Sequence, residues 1–518
     1  MNAALHPDSH RLSNALRQTR RDFDLFINGA FVKNSDGRVL ARHSPAHDVL
    51  VSRCQQAGLL ECEAAISAAR QAFDAGIWPR MKGADRAAVL LKMADLIDAR
   101  REEIALLDCL EVGKPISQAR GEIQAAADIW RYAAALARTL HGESYNTLGE
   151  AALGVVVREP IGMVSIITPW NFPFLIVAQK LPFALAAGCT CVVKPSEFTS
   201  ASTLLLGEML EAAGLPKGVV NIIAGLGAEI GPMLTSDPRV DMVSFTGSTA
   251  VGKGVVRASA DTLKKVSMEL GGKNPQIIFA DCDQDAALDA VIFGAFFNAG
   301  ECCNAGSRIL LEKSFAEGFV SKLVERSRSI PVGDPLDDQT KVGAMITPKH
   351  QAAVHRHIAD ALANGAQIAL GGGKPAMDTG IFLEPTILTS LRPDMAVVID
   401  EVFGPVLSVL TFDTTAEAIS LANYSAYGLS ASVWSKDIDT CLQVSRHVQA
   451  GTVWINTFMD GFAELPFGGV KQSGLGRELG RNAVLDYTEE KTLHFHSGPR
   501  TSWWLPPTRQ AQMKRRRT

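Results

Sequence analysis

Three short segments of the 518-residue chain carry side chains suited to nucleophilic and acid–base chemistry. Cys302 and Cys303 follow a glycine turn at the end of a helical pattern, where a thiolate, the best side-chain nucleophile at neutral pH, could be exposed. Glu269 lies between an apolar strand and a glycine turn, where partial desolvation would raise its pKa and suit a general base. Asn171 stands in a segment with a proline on each side, which would hold its amide rigidly enough to stabilise an oxyanion.

Each of these residues also has a structural interpretation, which is favoured when the residue is taken alone. A buried cysteine commonly acts as a small hydrophobic side chain. A loop glutamate is commonly solvated, and asparagine is an ordinary residue of proline-rich turns. The three residues therefore indicate chemistry only in combination with other signals.

Two glycine-rich segments could bind the phosphates of a cofactor. Gly225, Gly227 and Gly231 follow a GxGxxxG spacing rather than the GxGxxG of ordinary dinucleotide folds, which makes them a weak signal. Residues 247–253 resemble a P-loop, but Gly254 stands where Ser or Thr must bind magnesium, and this argues against an NTPase. What remains is a strand, a glycine turn and the start of a helix, which together could hold a pyrophosphate.

The elements that would position these residues are short apolar strands alternating with helices. Residues 25–32 have the pattern of strand, turn and strand, and residues 61–140 show helical periodicity. From residue 154 onward, apolar runs such as 162–167 and 276–279 alternate with helical stretches, which is typical of βαβ units and a largely parallel sheet. We predict an α/β fold with two such domains that meet near residue 270.

Composition and charge exclude several classes of protein. Hydrophobic residues make up 47% and charged residues 20%, which is typical of globular chains. The formal charge of −4 gives no reason to expect nucleic-acid binding, and we interpret the one basic cluster, Lys514–Arg517, as a solvated terminus. No apolar run reaches the roughly 18 residues that span a bilayer, and no signal peptide is evident. We therefore expect neither a nucleic-acid nor a membrane partner.

The nine cysteines and eleven histidines suggest neither a disulfide framework nor a metal site. The cysteines are scattered and odd in number, which is typical of a reducing compartment, and we predict a cytoplasmic protein. The histidines include no HExxH motif, and His355 and His357 form only an HxH on a predicted helix. We predict no metal ion.

Together the segments resemble the NAD(P)-dependent aldehyde dehydrogenase superfamily, from about residue 25 to residue 496. The family's nucleophile signature, usually Gly-Gln-x-Cys, corresponds to residues 300–303, and this register makes Cys303, not Cys302, the nucleophile. Glu301 replaces the more common glutamine. The family's glutamate signature is intact at residues 269–272. Six further segments match the family: the oxyanion hole (170–173), the adenosine-ribose clamp (194–197), the pyrophosphate turn (245–248), the nicotinamide-ribose segment (401–405) and two segments near the subunit contact and solvent channel (466–469 and 473–478).

The resemblance implies two Rossmann-type parallel-sheet domains and a strand-rich oligomerisation arm. The implied segments are 25–142 and 161–270 for the NAD-binding domain, 271–482 for the catalytic domain, 143–160 and 483–498 for the arm, and 1–24 and 499–518 for terminal tails. The implied assembly is a homodimer or a homotetramer.

The resemblance also implies roles for individual residues. The implied catalytic residues are Cys303, Glu269, Asn171 and Lys180. The implied NAD-binding residues are Ile167, Trp170, Lys194, Ser196, Glu197, Gly227, Gly231, Phe245, Thr246, Gly247, Ser248, Glu401 and Phe403. The implied contacts to the aldehyde are Gln179, Phe172, Phe297, Asp460, Gly461 and Phe467.

The implied reaction is NAD-dependent oxidation of an aldehyde to a carboxylic acid. Cys303 would attack the carbonyl, with the oxyanion held by Asn171 and the Cys303 backbone N–H, and hydride transfer to NAD would leave a thioester. Glu269 would activate the hydrolytic water and, as a second role, could first help to deprotonate Cys303, and Lys180 and Glu478 would form a proton path behind it. Because family members that transfer the acyl group to coenzyme A generally lack this glutamate, its presence favours release of the free acid.

The substrate is less clearly indicated. Gln179 falls at a tunnel position where betaine-aldehyde-like members carry tryptophan and semialdehyde members carry arginine. Gly461 takes a common aromatic position, which weakens the case for a quaternary-ammonium cage. Asp460 and Glu464 favour a neutral or cationic aldehyde over an anionic one. The alternatives are an ω-amino or betaine-type aldehyde dehydrogenase and, from another class, a non-catalytic structural or binding protein on the same fold.

Overall fold

A computed structural model describes residues 9–498 and 504–505 of the chain. The basic cluster Lys514–Arg517 lies outside the described residues. The strands are β1 (Asp22–Phe23), β2 (Leu25–Ile27), β3 (Ala30–Val32), β4 (Val39–His43), β5 (Leu50–Gln55), β6 (Glu143–Tyr145), β7 (Ala152–Pro160), β8 (Met163–Ile167), β9 (Thr190–Lys194), β10 (Val220–Ile222), β11 (Met242–Thr246), β12 (Lys265–Glu269), β13 (Pro275–Ile278), β14 (Arg308–Glu312), β15 (Gln367–Leu370), β16 (Thr386–Thr389), β17 (Val406–Phe412), β18 (Ser430–Trp434), β19 (Thr452–Ile455), β20 (Gly474–Leu475) and β21 (Thr488–His496). The helices are α1 (Ser9–Gln18), α2 (Leu59–Asp74), α3 (Gly83–Ala99), α4 (Arg101–Val112), α5 (Ile116–Thr139), α6 (Pro173–Ala187), α7 (Ala201–Ala213), α8 (Gly227–Ser236), α9 (Thr249–Ala260), α10 (Gln284–Phe296), α11 (Ala316–Ser327), α12 (Pro348–Ala363), α13 (Ala396–Ile399), α14 (Thr415–Asn423), α15 (Ile438–His447) and α16 (Gly480–Asp486).

The first large sheet has eight strands in the order β20-β12-β11-β8-β9-β10-β2-β3. Its five central strands, β12 to β10 in this order, are mutually parallel. β8 and β9 are almost wholly buried, as expected for apolar strands that helices cover on both faces. Helix α6 follows β8 directly, beginning with Pro173 in its first turn and ending at Gly188 with φ 103°.

The register of this sheet places the last residues of its parallel strands side by side. Ile167 of β8 pairs with Lys194 of β9, and Thr246 of β11 pairs with Glu269 of β12. All four residues end their strands, so they lie at one carboxyl edge of the sheet. In open α/β sheets this edge is where ligands bind.

The second large sheet has seven strands in the order β15-β16-β17-β14-β13-β18-β19. Only β15 runs antiparallel to its neighbour. Successive strand residues belong to different core clusters: Ile277 and Leu310 pack in one, and Ile278 and Ile309 pack in the other. This alternation means that the two faces of the sheet each carry an apolar core.

The change from one large sheet to the other falls between Glu269 and Pro275, in the glycine turn where the sequence predicts a domain boundary. One element crosses back, however. β20, which lies within the predicted catalytic segment 271–482, pairs antiparallel with β12 through Glu269 and Gly474. The two parallel-sheet domains are therefore joined along the strand that carries Glu269.

Strands β6, β7 and β21 form a separate antiparallel sheet. β7 and β21 pair over nine residues each, from Ala152↔His496 to Pro160↔Thr488. Most side chains of β21 are exposed, so one face of this sheet is uncovered in the single chain. The sheet coincides with the segments predicted as an oligomerisation arm.

The structure differs from the predicted tail over residues 1–24. Residues 9–18 form the helix α1. Ala15 is buried in the core of the eight-stranded sheet, and Leu12 and Leu16 pack beside it. The spacing of these three residues matches one face of a helix, so apolar burial accounts for its order. Among the described residues, no helix is long and apolar enough to cross a bilayer.

Candidate active site

A cavity of about 910 Å³ opens at the carboxyl edge of the eight-stranded sheet. Cys303 and Asn171 line one part of it. It is also lined by all thirteen predicted NAD-binding residues, namely Ile167, Trp170, Lys194, Ser196, Glu197, Gly227, Gly231, Phe245, Thr246, Gly247, Ser248, Glu401 and Phe403. The structure thus brings the predicted nucleophile and the predicted cofactor residues into one space.

The cavity wall offers features that suit a dinucleotide. A Cβ added at Gly227 or Gly231 would meet no atom within 4 Å, so any side chain there would project into the cavity. Ser248 caps α9 by accepting a hydrogen bond from the Val251 N–H. Because both residues line the cavity, the positive end of the α9 dipole faces it. The buried hydroxyl of Thr246 has no hydrogen-bond partner among the described residues. These residues fit a pyrophosphate at this edge.

The P-loop-like segment does not form a nucleotide-triphosphate site. Lys253, the counterpart of the P-loop lysine, donates to Oε1 of Gln472 at 2.8 Å. Gly247 is needed for a local reason, because a Cβ there would lie 2.6 Å from the Phe245 ring. The rejection of an NTPase on the sequence motif therefore agrees with the geometry.

One end of the cavity holds a buried lysine beside a half-exposed carboxylate. The Lys194 ammonium donates to the Pro195 carbonyl at 2.9 Å and lies 3.7 Å from Oε2 of Glu197. Burial lowers the pKa of Lys194, and Glu197 opposes this effect. Glu197 therefore presents a carboxylate at the place predicted for the adenosine ribose.

The other end of the cavity is built from aromatic rings and a buried acid. Trp170 meets Phe403 edge-on at 5.4 Å between centroids and His350 at 5.7 Å. Burial raises the pKa of Glu401 to about 7, although the Gly272 N–H donates to its carboxyl at 3.0 Å. His350 donates from Nε2 to the Phe403 carbonyl at 2.7 Å.

The loop that carries Cys303 follows α10 through a short 3-10 turn with an unusual backbone. Asn298, Ala299 and Gly300 have φ values of 50°, 55° and 70°, which non-glycine residues rarely adopt. At Gly300 a Cβ would lie 2.2 Å from the Gly404 carbonyl oxygen, so only glycine fits. Such a backbone persists only where surrounding contacts hold it, and it is common at functional sites.

Two asparagines supply those contacts. Asn298 donates from its side chain to the Asn171 carbonyl at 3.2 Å and to the Glu301 carbonyl at 3.0 Å. Asn274 donates to the Cys303 carbonyl at 2.7 Å and to the Ala305 carbonyl at 3.0 Å. The loop is therefore tied to the segment of Asn171 on one side and to the second domain on the other.

The two adjacent cysteines face different surroundings. Cys302 is buried in a small apolar cluster with Phe172, Ile176 and Ala305. Cys303 is only partly buried and lines the cavity. The Cys302 side chain and burial, with Glu401 and Glu269 adding to them, raise the pKa of Cys303 well above its usual value. The resting form of Cys303 is a thiol that needs a base.

The Asn171 amide points into the nucleophile loop. Its Nδ2 donates to the Glu301 carbonyl at 3.1 Å, which leaves one N–H of the amide free. The Cys303 backbone N–H takes part in no hydrogen bond among the described residues. Both residues line the same cavity, so the two donors are available to an oxyanion that forms beside Cys303.

Glu301, the substitute for the family's glutamine, is fully buried behind the loop. Its Oε1 accepts from the Ile346 N–H at 3.0 Å. Burial raises its pKa well above the usual range, although Lys114 and Arg42 oppose this. Burial therefore disfavours the charged form of the carboxyl that the substitution places beside the nucleophile.

Glu269 is buried outside the cavity lining. A Cβ at Gly468 would lie 2.6 Å from its Oε1, so the carboxyl faces that glycine. Neither carboxyl oxygen has a hydrogen-bond partner among the described residues. Burial and the nearby Glu478 raise the pKa of Glu269 well above its usual value, whereas Lys180 and Arg477 oppose the shift.

Behind Glu269 lies a buried polar chain. Lys180 forms an ion pair with Glu478 and donates to the Ser244 hydroxyl at 3.2 Å. The Tyr487 hydroxyl lies 3.3 Å from the same Ser244 oxygen. Burial raises the pKa of Glu478, against the lowering effect of Lys180. The predicted partners of Glu269 are thus adjacent in the structure.

Among the predicted substrate residues, only Phe172 and Phe297 pack together. Their rings stack at 6.0 Å with an angle of 16°. Gln179 is half-buried on α6, and Asp460 and Gly461 are exposed, with open space around Gly461. Phe467 instead packs against the core of the eight-stranded sheet and pairs through its backbone with Glu478. The substrate contacts of these four residues stay a prediction.

Several residues of the site carry no sequence motif. His350 and Phe198 line the cavity, yet neither belongs to a glycine loop or a signature. Asn274 and Asn298 hold the nucleophile loop from positions that precede it by 29 and 5 residues. Asn274 lies two residues after the glutamate signature at 269–272, which is the one signal that could have drawn attention to it.

The first comparison with known proteins decides the family. The family model described as aldehyde dehydrogenase matches residues 31–493 of this chain. The chain belongs to the aldehyde dehydrogenase family. This confirms the predicted family and the predicted α/β fold.

Individual relatives agree. The chain is 40% identical over 484 residues to a betaine aldehyde dehydrogenase of Bacillus subtilis (strain 168), covering 93% of this chain and 99% of that one. It is also 40% identical over 495 residues to retinal dehydrogenase 2 of Gallus gallus, covering 95% of each. A solved NAD-dependent aldehyde dehydrogenase from Sinorhizobium meliloti superposes with a TM-score of 0.94 at 46% identity, covering 97% of this chain and 99% of that one.

Among the described residues, no group of three or more histidine, cysteine or acidic side chains is arranged to hold a metal ion. All nine cysteines are free thiols. The candidate site has three parts: the loop that carries Cys303, the two buried carboxyls of Glu269 and Glu478, and the cavity lined by the predicted NAD-binding residues.

Proposed function

We propose that this enzyme oxidises an aldehyde to a carboxylic acid with NAD, through a thioester on Cys303. The observation that carries the proposal is the shared cavity in which Cys303 meets all thirteen predicted cofactor residues. A screen for NADH formation over aliphatic, aromatic, amino and semialdehyde substrates tests it. A protein that binds NAD but produces NADH with none of them would instead be a non-catalytic member on the same fold.

The cofactor would be held along the carboxyl edge of the sheet. The start of α9 at Ser248 and the open glycines Gly227 and Gly231 suit the pyrophosphate, and Glu197 suits the adenosine ribose. Glu401 and Phe403 lie on the Cys303 side of the cavity and suit the nicotinamide end. When bound, NAD supplies the oxidant that accepts a hydride from the carbon attached to Cys303.

Cys303 attacks the aldehyde carbon once its thiol proton has passed to Glu269 or to solvent water. The oxyanion that forms accepts hydrogen bonds from the free N–H of the Asn171 amide and from the Cys303 backbone N–H. Removing one such donor from an enzyme typically costs about 100- to 1000-fold in kcat. The contacts of Asn298 to both segments keep the two donors in register.

Glu269 serves as the base for thioester hydrolysis. Its raised pKa suits a group that accepts a proton near neutral pH. Because neither carboxyl oxygen is hydrogen-bonded among the described residues, its side chain can rotate from Gly468 toward Cys303 without breaking such a bond. Glu478 and Lys180 lie next to it and would carry the proton away.

The raised pKa values set the direction of the pH profile. Cys303 and Glu269 act in their deprotonated forms, which become scarcer as pH falls, so kcat/KM should rise between about pH 6 and pH 9. Glu478→Gln removes a negative charge that raises the pKa of Glu269 and should move the profile to lower pH. The exposed Glu325→Gln is the matched control, with an unchanged profile. A shift of the Glu478 variant to higher pH would contradict this account.

The enzyme should prefer NAD to NADP by at least about 10-fold in kcat/KM. The extra phosphate of NADP would face Glu197, and like charges ~4 Å apart cost about 4 kcal/mol at a surface-like dielectric before screening. Lys194, 3.7 Å from Glu197, limits the effect to a preference. Steady-state kinetics with one aldehyde and both cofactors measures the ratio, and Glu197→Gln should reduce it. Equal values for the native enzyme would mean that Glu197 does not face the ribose.

The arm, the compartment and the substrate subclass belong to the same proposal. The exposed face of the β21 sheet supports a homodimer or homotetramer, and the free thiols support a cytoplasmic enzyme. The name of the Bacillus subtilis relative favours an ω-amino or betaine-type aldehyde, whereas that of the Gallus gallus relative favours a neutral one.

A further inference from the structure

A buried lysine lies directly behind the predicted substrate wall. The Lys114 ammonium sits 4.1 Å from the centroid of the Phe172 ring. Its side chain is fully buried and pairs with Glu122 at 2.6 and 2.8 Å. Lys114 follows α4, and Glu122 lies on α5, so this pair reaches the site from the helical layer of the first domain. No sequence motif of the site includes either residue.

The Phe172 ring therefore already binds a cation of the protein. An aromatic ring attracts cations through the negative potential of its faces. The Lys114 ammonium contacts the Phe172 ring, and the Phe297 ring stacks on Phe172 and covers a further part of its π surface. Phe297 is itself in contact with Phe293, at 4.9 Å between centroids. A second cation on Phe172 would meet a like charge on the ring.

The exposed Phe293 adds one ring beside Phe297, and the other side chains of the cluster beside Cys303 are not aromatic. The cluster beside Cys303 contains aliphatic and sulfur side chains, namely Leu175, Ile176, Cys302, Ala305 and Met459. Phe458 is buried in the second domain against Trp454, at 5.2 Å between centroids. The carboxylate of Asp460 accepts from the Thr457 hydroxyl, and Gly461 leaves an open space in place of a ring.

We propose that Lys114 is a positioning residue that determines substrate specificity. Its charge disfavours aldehydes bearing a quaternary ammonium in the substrate tunnel and favours neutral, apolar aldehydes. It acts through the Phe172 ring and does not touch the substrate. The carboxylate of Glu122 offsets part of its field, so the effect is a preference. This inference rests on the proposed function, because it assumes that Phe172 and Phe297 line the path to Cys303.

Two substrates of equal shape test the proposal on the native enzyme. The two compounds differ only at the branch point, which is a positively charged nitrogen in betaine aldehyde and a neutral carbon in 3,3-dimethylbutanal. The kcat/KM for the neutral aldehyde should exceed that for betaine aldehyde by at least about 10-fold. Concentrations should be expressed as free aldehyde, measured by proton NMR, because the two compounds hydrate to different extents. Equal values, or a preference for betaine aldehyde, would overturn the proposal.

A double variant then assigns the preference to the lysine. Lys114→Met with Glu122→Gln removes both charges together, so that no unpaired buried charge remains. The ratio of the two kcat/KM values should fall at least about fivefold, a change that loosened packing alone would not produce because the substrates have the same shape. The exposed pair Lys313 and Asp413, 3.2 Å apart, gives the matched control Lys313→Met with Asp413→Asn, which should keep the native ratio.

The outcomes separate the two proposals. An unchanged ratio in a folded double variant would overturn the role of Lys114 but leave the proposed function standing. If the double variant does not fold, the native ratio still decides whether the tunnel selects neutral aldehydes. Absence of NADH formation with both compounds and with every aldehyde of the wider screen would overturn the proposed function itself.

Discussion

Cys303→Ala should abolish NADH formation, with kcat falling by at least about 10⁴-fold, because removing a covalent nucleophile leaves only binding and oxyanion stabilisation. The variant should fold and bind NAD as the native protein does, since Cys303 only lines one part of the cavity and its side chain supports no buried cluster. Steady-state kinetics and NAD binding by fluorescence measure the two properties.

The neighbouring cysteine is the matched control. Cys302 is buried among Phe172, Ile176 and Ala305, so Cys302→Ala removes one sulfur from an apolar cluster and should keep most of the activity. Its cost should appear as lower stability, about 1 kcal/mol for a small cavity. An inactive Cys302 variant beside an active Cys303 variant would show that the motif register is wrong.

Glu269→Gln should produce a burst of NADH of about one per active site, followed by turnover slowed by about 100- to 10,000-fold, the usual effect of losing a general base. Acylation needs a base only to remove the thiol proton, whereas hydrolysis needs one to activate water on the thioester. Glutamine keeps the shape of the side chain, so the variant should fold. Rapid-mixing absorbance at 340 nm resolves the two phases.

The burst amplitude decides the role of Glu269. If burst and steady state fall together, Glu269 removes the proton from Cys303 before the first hydride transfer, and hydrolysis is not its separate task. The raised pKa of the Cys303 thiol makes this outcome a real test, because the thiol does need a base. Gly468→Ala tests the resting position of Glu269 in addition, since its Cβ would lie 2.6 Å from Oε1.

The predicted cofactor residues line one cavity for a physical reason. Phosphate binding requires a strand end, a glycine turn and a helix start in one continuous segment, so the sequence motif at 245–248 is enough to predict the local geometry. Parallel strands then bring Ile167, Lys194 and Thr246 to one edge whatever their separation in sequence. The alternation of strands and helices is thus enough to place the cavity.

The supporting contacts of the nucleophile loop could not be predicted in this way. Asn298 reaches the Asn171 carbonyl across 127 residues, and Asn274 reaches the Cys303 carbonyl across 29. Lys114 and Phe172 meet only because α4, α5 and α6 pack together in the fold. Side-chain contacts between distant segments leave no local pattern in composition or periodicity.

Two local arrangements could not be predicted from the sequence for other reasons. The polar start of the chain hides the short apolar face of α1, whose three buried or partly buried residues are too few to stand out against charged neighbours. Phe467 lies within the motif at 466–469, and in the structure its backbone pairs with Glu478 while its ring packs on the core of the eight-stranded sheet. A motif shows that a segment is present without showing which way each side chain points.

The thioester on Cys303 can be observed directly. Glu269→Gln mixed with NAD and an oxidisable aldehyde should gain the mass of one acyl group, and peptide mapping should place that group on Cys303 and not on Cys302. Hydroxylamine should remove it, as expected for a thioester, and Cys303→Ala should gain no mass under the same conditions. An enzyme that forms NADH without any acylated cysteine, or with the acyl group on Cys302, would contradict the mechanism.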